Sequence, residues 1–122
     1  MEIIVHDNSK LVFIQEEFSS AFRYLKLEFP ALTATGTARS NVTNLDGKTI
    51  ADAAKATTSH TFTIVPTMTI STLKQRFIHD FGLPVQVMRR FGTTWVETTV
   101  TDGWTLEEQN KHGERLSLSN RR

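Results

Sequence analysis

One apolar stripe of helical spacing occurs twice in this chain, and it constrains the fold more than any other feature. Two sets of large apolar residues share steps of three, four and four positions, which place side chains on one side of an α-helix. The sets are Leu11, Ile14, Phe18 and Phe22, and, 59 positions later from Leu11 to Ile70, the residues Ile70, Leu73, Phe77 and Phe81. Each helix must therefore bury one side against another element.

Short apolar segments flank each predicted helix. They cover residues 2–6 and 25–29 around the first helix, and residues 60–65 and 85–91 around the second. Several of them alternate apolar and polar side chains, which indicates half-buried strands. Residues 94–100 follow the turn pair Gly92-Thr93 and are predicted to complete a hairpin.

Two consecutive βαβ units predict an α+β domain with duplicated halves. The favoured packing is ferredoxin-like, a mostly antiparallel sheet with two helices on one face and an extra strand from the C-terminal hairpin. A short helix is expected within residues 48–55. The expected boundaries are one domain at 1–113, with halves 1–30 and 60–90 joined by a loop at 31–59, and a polar, flexible tail at 114–122.

Part of the second half resembles ubiquitin-like domains, which have the β-grasp fold. The similar segments are TISTLKQRFIHDFGLP at 69–84 and DGWTLEEQN at 102–110, and LDGKTIADA at 45–53 is a fainter version of the latter. This resemblance implies a β-grasp as the alternative fold. The leading hairpin and the diglycine tail of ubiquitin are missing from the match, so conjugation chemistry is not implied.

A second resemblance covers nearly the whole chain. The ending WVETTVTDGWTLEEQN, together with the segments FIQEEF and YLKLEF near the start, is similar to a small bacterial family whose members have no assigned activity. The resemblance implies a compact, duplicated α/β domain. It supplies no functional residues.

Composition narrows the classes of function. Fourteen basic and thirteen acidic residues give a net charge of +1, so no long-range field favours nucleic acid or an anionic membrane. The absence of cysteine excludes disulfides and thiolate-held metals and fits a cytoplasmic protein. No apolar run approaches the roughly 18 residues of a membrane span, and the first residues lack a signal-peptide pattern.

No group of residues predicts a catalytic, cofactor or metal site. The histidines at 6, 60, 79 and 112 are not spaced three or four positions apart, so none forms a metal-binding pair on one helix. Ser71, His79 and Asp80 lack the context of a nucleophile elbow. The sequence therefore predicts a non-enzymatic protein without a cofactor, and an enzyme with a site beside the loop at 31–48 is the third hypothesis.

The candidate functional surface is the side of the predicted sheet that faces away from the helices. Its expected members are Lys26, Glu28, Thr61, Thr63, Gln86, Met88, Arg90, Trp95, Glu97 and Thr99. The proposed protein-binding residues are Trp95, Met88, Arg90, Glu97 and Gln86. Tryptophan and arginine are enriched at interface hot spots, so the first hypothesis is an intracellular module that binds a protein partner.

Two other interpretations of this surface stay open. Trp95 could stack a base of single-stranded nucleic acid, which makes a nucleic-acid-binding module the alternative function. It could also lie over its own strand neighbours on a plain solvent-facing surface, since cross-strand aromatic packing is common. An exposed edge strand of the sheet would in addition be able to pair two copies of the chain.

Overall fold

The computed structural model describes residues 2–30, 47–54 and 61–119, and within them the chain is an α+β protein, as predicted. Residues 31–46 and 55–60 lie outside the described residues, and they include most of the loop predicted at 31–59 as well as His60. In chain order the elements are β1 (Ile3–His6), α1 (Leu11–Ala21), β2 (Leu25–Glu28), α2 (Ile50–Ala53), β3 (Thr61–Ile64), α3 (Ile70–Phe81), β4 (Gln86–Phe91), β5 (Thr94–Glu97), a 3₁₀ turn (Thr99–Thr101) and α4 (Leu106–Ser119).

The strands form two antiparallel sheets, whereas the sequence predicted one. β1 pairs with β3, and β2, β4 and β5 form a three-stranded sheet in the order β2-β4-β5. Side chains of α1 occupy the outer edge of β2: Gln15 Nε2 donates to the carbonyl of Leu27 at 2.9 Å, and Ser19 Oγ to that of Leu25 at 3.2 Å. With its outer carbonyls bonded to α1, this edge of β2 is closed to β1, and β1 pairs with β3 instead.

Both apolar stripes are buried in one hydrophobic core, as their spacing predicted. The eight stripe residues are all at most 4% exposed, and Phe18 and Phe77 belong to the same cluster of buried side chains. The ring of Phe77 lies edge-on to Phe62, with centroids 5.1 Å apart, and edge-on to Phe29 at 6.2 Å. The core therefore joins elements from both halves of the chain.

A single antiparallel bridge joins the start of α1 to the start of α2. Lys10 lies opposite Thr49 in this bridge. The amide of Leu11 donates to the carbonyl of Lys48 at 2.9 Å, and the amide of Ile50 to that of Ser9 at 2.8 Å. The contact holds the first residues of α1 and α2 side by side.

The same contact recurs where α3 and α4 begin. Thr69 lies opposite Thr105. The amide of Ile70 donates to the carbonyl of Trp104 at 3.1 Å, and the amide of Leu106 to that of Met68 at 2.9 Å. The second bridge follows the first at similar intervals, which are 59 positions from Lys10 to Thr69 and 56 positions from Thr49 to Thr105.

The C-terminal part differs from the prediction in two respects. β5 ends at Glu97 rather than at residue 100, because Thr98 turns inward to donate to the carbonyl of Val87 and to Asp102, leaving Val100 97% exposed. Helix α4 continues to Ser119, so residues 114–119 are helical and not the start of a tail. The sequence did not predict the full length of α4, because its buried side contains polar residues and a glycine in place of regularly spaced apolar residues. The buried members are Leu106, Gln109, Gly113 and Ser117.

Candidate functional site

The β4–β5 hairpin and strand β2 position the candidate site. Gly92 opens the two-residue turn with φ of 67°, a conformation that side-chain-bearing residues rarely adopt. Arg90 lies opposite Trp95, and Met88 opposite Glu97 on one side and Lys26 on the other. Directly opposed residues project to the same face of a sheet, so these side chains lie together.

We name this surface the Trp95 face. It consists of Lys26, Glu28, Gln86, Met88, Arg90, Trp95 and Glu97, which are half-buried or exposed. The alternate residues of β2 and β4, such as Leu27 and Val87, point to the core and are buried. The structure thus brings together all five residues predicted to bind a partner.

Three residues predicted for this surface lie elsewhere. Thr61 and Thr63 belong to β3, in the two-stranded sheet, and Thr99 lies in the 3₁₀ turn after β5. The prediction grouped them with Trp95 because it assumed one sheet. The Trp95 face is therefore a property of the three-stranded sheet and owes its residues mainly to the second half of the chain.

Two cations flank the indole ring of Trp95. Lys26 Nζ lies 4.9 Å from the ring centroid, and the guanidinium carbon of Arg90 lies 6.0 Å from it. Such cation–π contacts contribute about 0.5–1 kcal/mol each at exposed sites. Arg90 Nε also donates to the carbonyl of Gly92 at 2.8 Å, which fixes the guanidinium over the hairpin.

The charges of the Trp95 face balance. Lys26 forms a 3.5 Å ion pair with Glu28, and Arg90 shares the face with Glu97. With two basic and two acidic side chains, the surface has no excess charge of either sign. Recognition at this face would depend on where a partner places its charges, since there is no net attraction to a polyanion.

A cleft of about 610 Å³ continues from Arg90 around the end of the hairpin. It is lined by Arg23, Tyr24, Arg90, Phe91, Gly92, Thr93, Ser117 and Leu118. The amide of Gly92 donates to Ser117 Oγ at 3.2 Å, so the end of α4 holds the turn in place. The sequence contained no signal for this cleft, because Ser117 and Leu118 were assigned to a tail.

A buried polar group supports the hairpin from behind. Arg89 of β4 points to the core side, where its guanidinium donates to Gln109 Oε1 at 3.1 Å. Gln109 is fully buried and donates in turn to the carbonyl of Thr101 at 2.8 Å. Burial lowers the pKa of Arg89. Arg89 and Gln109 thereby connect α4, β4 and the turn after β5.

The Ser–His–Asp set drawn from the sequence does not assemble. Ser71 and His79 are eight residues apart on α3, or about 12 Å along the axis of a helix. His79 Nδ1 lies 3.0 Å from Oδ1 of Asp80, but the side chain of His79 is 81% exposed, and Asp80 also forms an ion pair with Arg76 at 3.1 Å. His79 and Asp80 are therefore in contact at the surface, and Ser71 lies out of their reach.

The described residues contain neither a metal-binding cluster nor a membrane-spanning helix. No three histidine, aspartate or glutamate residues lie close enough to hold a metal ion within residues 2–30, 47–54 and 61–119. None of the helices in these ranges has the length and apolar character to cross a bilayer. Comparison with models of protein families, with curated proteins and with solved structures gives no match.

Proposed function

We propose that the protein is a non-enzymatic module that binds another protein through the Trp95 face. The observation that carries the proposal is the position of Trp95, an aromatic ring on an open sheet face with Lys26 and Arg90 against it. Tryptophan and arginine supply a large share of binding energy when a partner covers them. The surrounding polar side chains would form the rim of such an interface.

The balance of charge favours a protein over nucleic acid as the partner. Lys26 and Arg90 can receive carboxylates of a partner, while Glu28 and Glu97 can receive its basic groups. A mixed pattern of this kind selects a surface with complementary charges. We therefore expect a partner that places an acidic side chain next to the ring of Trp95.

Single-stranded nucleic acid is the second candidate. The two cations beside the half-buried indole resemble the combination of base stacking and phosphate contact used by single-strand binders. The carboxylates of Glu28 and Glu97 on the same face oppose this function. Quenching of Trp95 fluorescence by a mixed-sequence oligonucleotide at low salt would support it.

The main test compares two aromatic substitutions in capture from extracts of the source cell. Trp95→Ala removes the centre of the face, while Phe13→Ala removes a ring of α1 that is 57% exposed and lies outside the face. A partner specific for the Trp95 face is retained by the wild type and by Phe13→Ala and lost by Trp95→Ala. Equal retention by all three proteins would reject the face as the binding site.

A purified partner permits a direct measurement. The chain has two tryptophans, so Trp104→Phe leaves Trp95 as the only reporter of tryptophan emission. Covering the ring of Trp95 should shift its emission to shorter wavelength as the partner is added. A partner that binds with no change in this emission does not use the proposed anchor.

We also infer that the two halves are copies of one βαβ unit. The two similar bridges, at intervals of 59 and 56 positions, support this, and so does the pairing of β1 with β3, where Ile4 lies opposite Thr63, its counterpart 59 positions later. A local two-fold axis between these residues would relate the halves. We expect homologues to keep both stripes at this interval, and an unrelated element in place of one half would contradict the duplication.

A further inference from the structure

The outer edge of β5 carries backbone groups that β4 does not use. The amide of Thr98 donates to the carbonyl of Val87 at 3.3 Å, which sets the alternation of the β4–β5 ladder. In an antiparallel ladder every second residue directs its N–H and C=O to the partner strand. The backbone N–H and C=O of Val96 therefore bond to β4, whereas the backbone N–H and C=O of Trp95 and Glu97 point away from β4. Among the described strands, β5 has β4 as its only neighbour.

The opposite edge of the same sheet, formed by β2, is protected from pairing with another strand. Gln15 and Ser19 of α1 donate to the outward carbonyls of Leu27 and Leu25 at this edge. The sequence of β5, TWVE, contains no lysine or proline, the residues with which proteins commonly block an edge. The outer carbonyls of β2 are thus bonded to side chains of α1, whereas β5 has no described strand on its outer side. The edge of β5 is therefore the one suited to pairing with a further strand.

We propose that β5 pairs antiparallel with β5 of a second copy of the chain, with the two-fold axis at Val96. This register places Trp95 opposite Glu97 of the second copy, and Glu97 opposite its Trp95. These are the residues whose N–H and C=O point outward, so both pairs exchange hydrogen bonds. The result is one continuous antiparallel sheet across two copies, with the two Trp95 faces on the same side.

Charge complementarity supports this register over one centred on Glu97. The carboxylate of Glu97 from the second copy would lie beside Trp95, where Lys26 and Arg90 lean over the ring at 4.9 and 6.0 Å from its centroid. The two-fold axis repeats this contact, as in any isologous interface. A register centred on Glu97 would instead place two glutamates directly opposite each other, and like charges in that position are unfavourable.

The hydrogen bonds of this pairing use the backbone edge of β5 and do not require the proposed binding of another protein. The carboxylate of Glu97 from the second copy would take the position beside Trp95 that an acidic side chain of that partner would occupy, so the second copy and the partner would compete for this part of the Trp95 face. An interface of a few residues on each side is small, so we expect a weak dimer that forms as protein concentration rises.

Sedimentation of the purified full chain over a wide range of concentration tests the dimer. The wild type should move from a mass of 13.8 kDa towards twice that value. Glu97→Pro removes an outward amide and leaves the ladder to β4 intact, since proline is tolerated where the N–H of an edge strand faces solvent. This variant should stay monomeric, while the matched control Glu97→Gln keeps the amide and should dimerise with severalfold lower affinity.

A cross-linking experiment tests the register. The chain has no cysteine, so Val96→Cys introduces a single thiol at the proposed axis. Opposed residues at a non-hydrogen-bonded position are about 4.5 Å apart between Cα atoms, which is within the range of a disulfide. Mild oxidation should link two copies of Val96→Cys, whereas Thr93→Cys in the hairpin turn should link far less.

Three results would overturn the proposal. These are a wild type that remains monomeric at every concentration, a Glu97→Pro variant that dimerises like the wild type, and equal cross-linking of Val96→Cys and Thr93→Cys. Circular dichroism of each variant shows whether its fold is retained. A wild type that stays monomeric at every concentration and still captures a cellular partner through Trp95 would overturn the dimer and leave the proposed binding function standing.

Discussion

Gly113 of α4 lies against Tyr24 with no space for a side chain between them. A β-carbon on Gly113 would stand 2.9 Å from Cβ of Tyr24 and 3.0 Å from Cγ of Arg89. The next residue along the contact is Asn110, whose Oδ1 accepts from the amide of Tyr24 at 2.8 Å. This close approach holds α4 on the three-stranded sheet, behind the hairpin that carries Trp95.

Gly113→Ala should destabilise the protein. Replacing a glycine by alanine inside a helix normally stabilises by about 0.5–1 kcal/mol. Here the added methyl group meets the carbonyl of Tyr24 at 3.3 Å besides the two side chains, and overpacking of this kind costs about 1–3 kcal/mol. Urea denaturation should therefore show a net loss of stability. Gly103→Ala is the control, because nothing lies within 4 Å of its added Cβ.

Phe77→Ala should cost about 3–5 kcal/mol of unfolding free energy, the range for large-to-small changes of buried aromatic residues. Phe77 is fully buried and contacts the rings of Phe29, Phe62 and Phe81. Phe13→Ala, at a ring that is 57% exposed, should change stability far less. Similar losses for the two variants in thermal denaturation would contradict a core centred on Phe77.

Thr105→Ala should destabilise the start of α4 by about 1 kcal/mol, the usual value of an N-cap. The hydroxyl of Thr105 accepts from the amide of Glu108 at 3.1 Å, and Glu108 Oε1 accepts from the amide of Thr105 at 2.8 Å. These two bonds form a capping box. Thr67→Ala, at an exposed position before α3, serves as the control in chemical denaturation. A loss no larger than that of the control would show that the cap contributes little.

Periodicity predicted the parts of the fold in which burial follows the pattern of apolar residues. Phe18 and Phe77 were placed on helices in one core, and both are buried there. The five proposed binding residues were placed on one face because alternation along β4 and β5 is local, and the strand register confirms this placement. The binding of a partner stays a prediction.

Long-range pairing is what the sequence could not predict. The bonds from Gln15 and Ser19 to the edge of β2 depend on how α1 lies on the sheet, and polar residues on a helix do not reveal that. The length of α4 was missed for a related reason. Its buried side uses Gln109, Gly113 and Ser117, and a glycine that permits close packing has no signature of its own in one sequence.

Acid should weaken the fold through His112. Burial, together with the positive charges of Arg89 and Arg115, lowers the pKa of His112 below its usual 6.5. The unfolded chain therefore binds more protons at this residue than the folded protein, in the window from pH 6.5 down to the lowered pKa. Stability attributed to His112 is fully present above pH 6.5 and is lost as the pH falls through that window.

Arg115→Gln tests the cause of this shift. A guanidinium nitrogen of Arg115 lies 3.2 Å from Nδ1 of His112, and the edge-on ring of Trp104 lies 5.2 Å from the imidazole. Removing the charge of Arg115 should raise the pKa of His112 in an NMR titration and narrow the pH window in which stability is lost. Lys111→Gln, which removes an exposed positive charge from the same helix, is the control. An unchanged or lower pKa of His112 in Arg115→Gln would show that burial and Arg89 alone set its value.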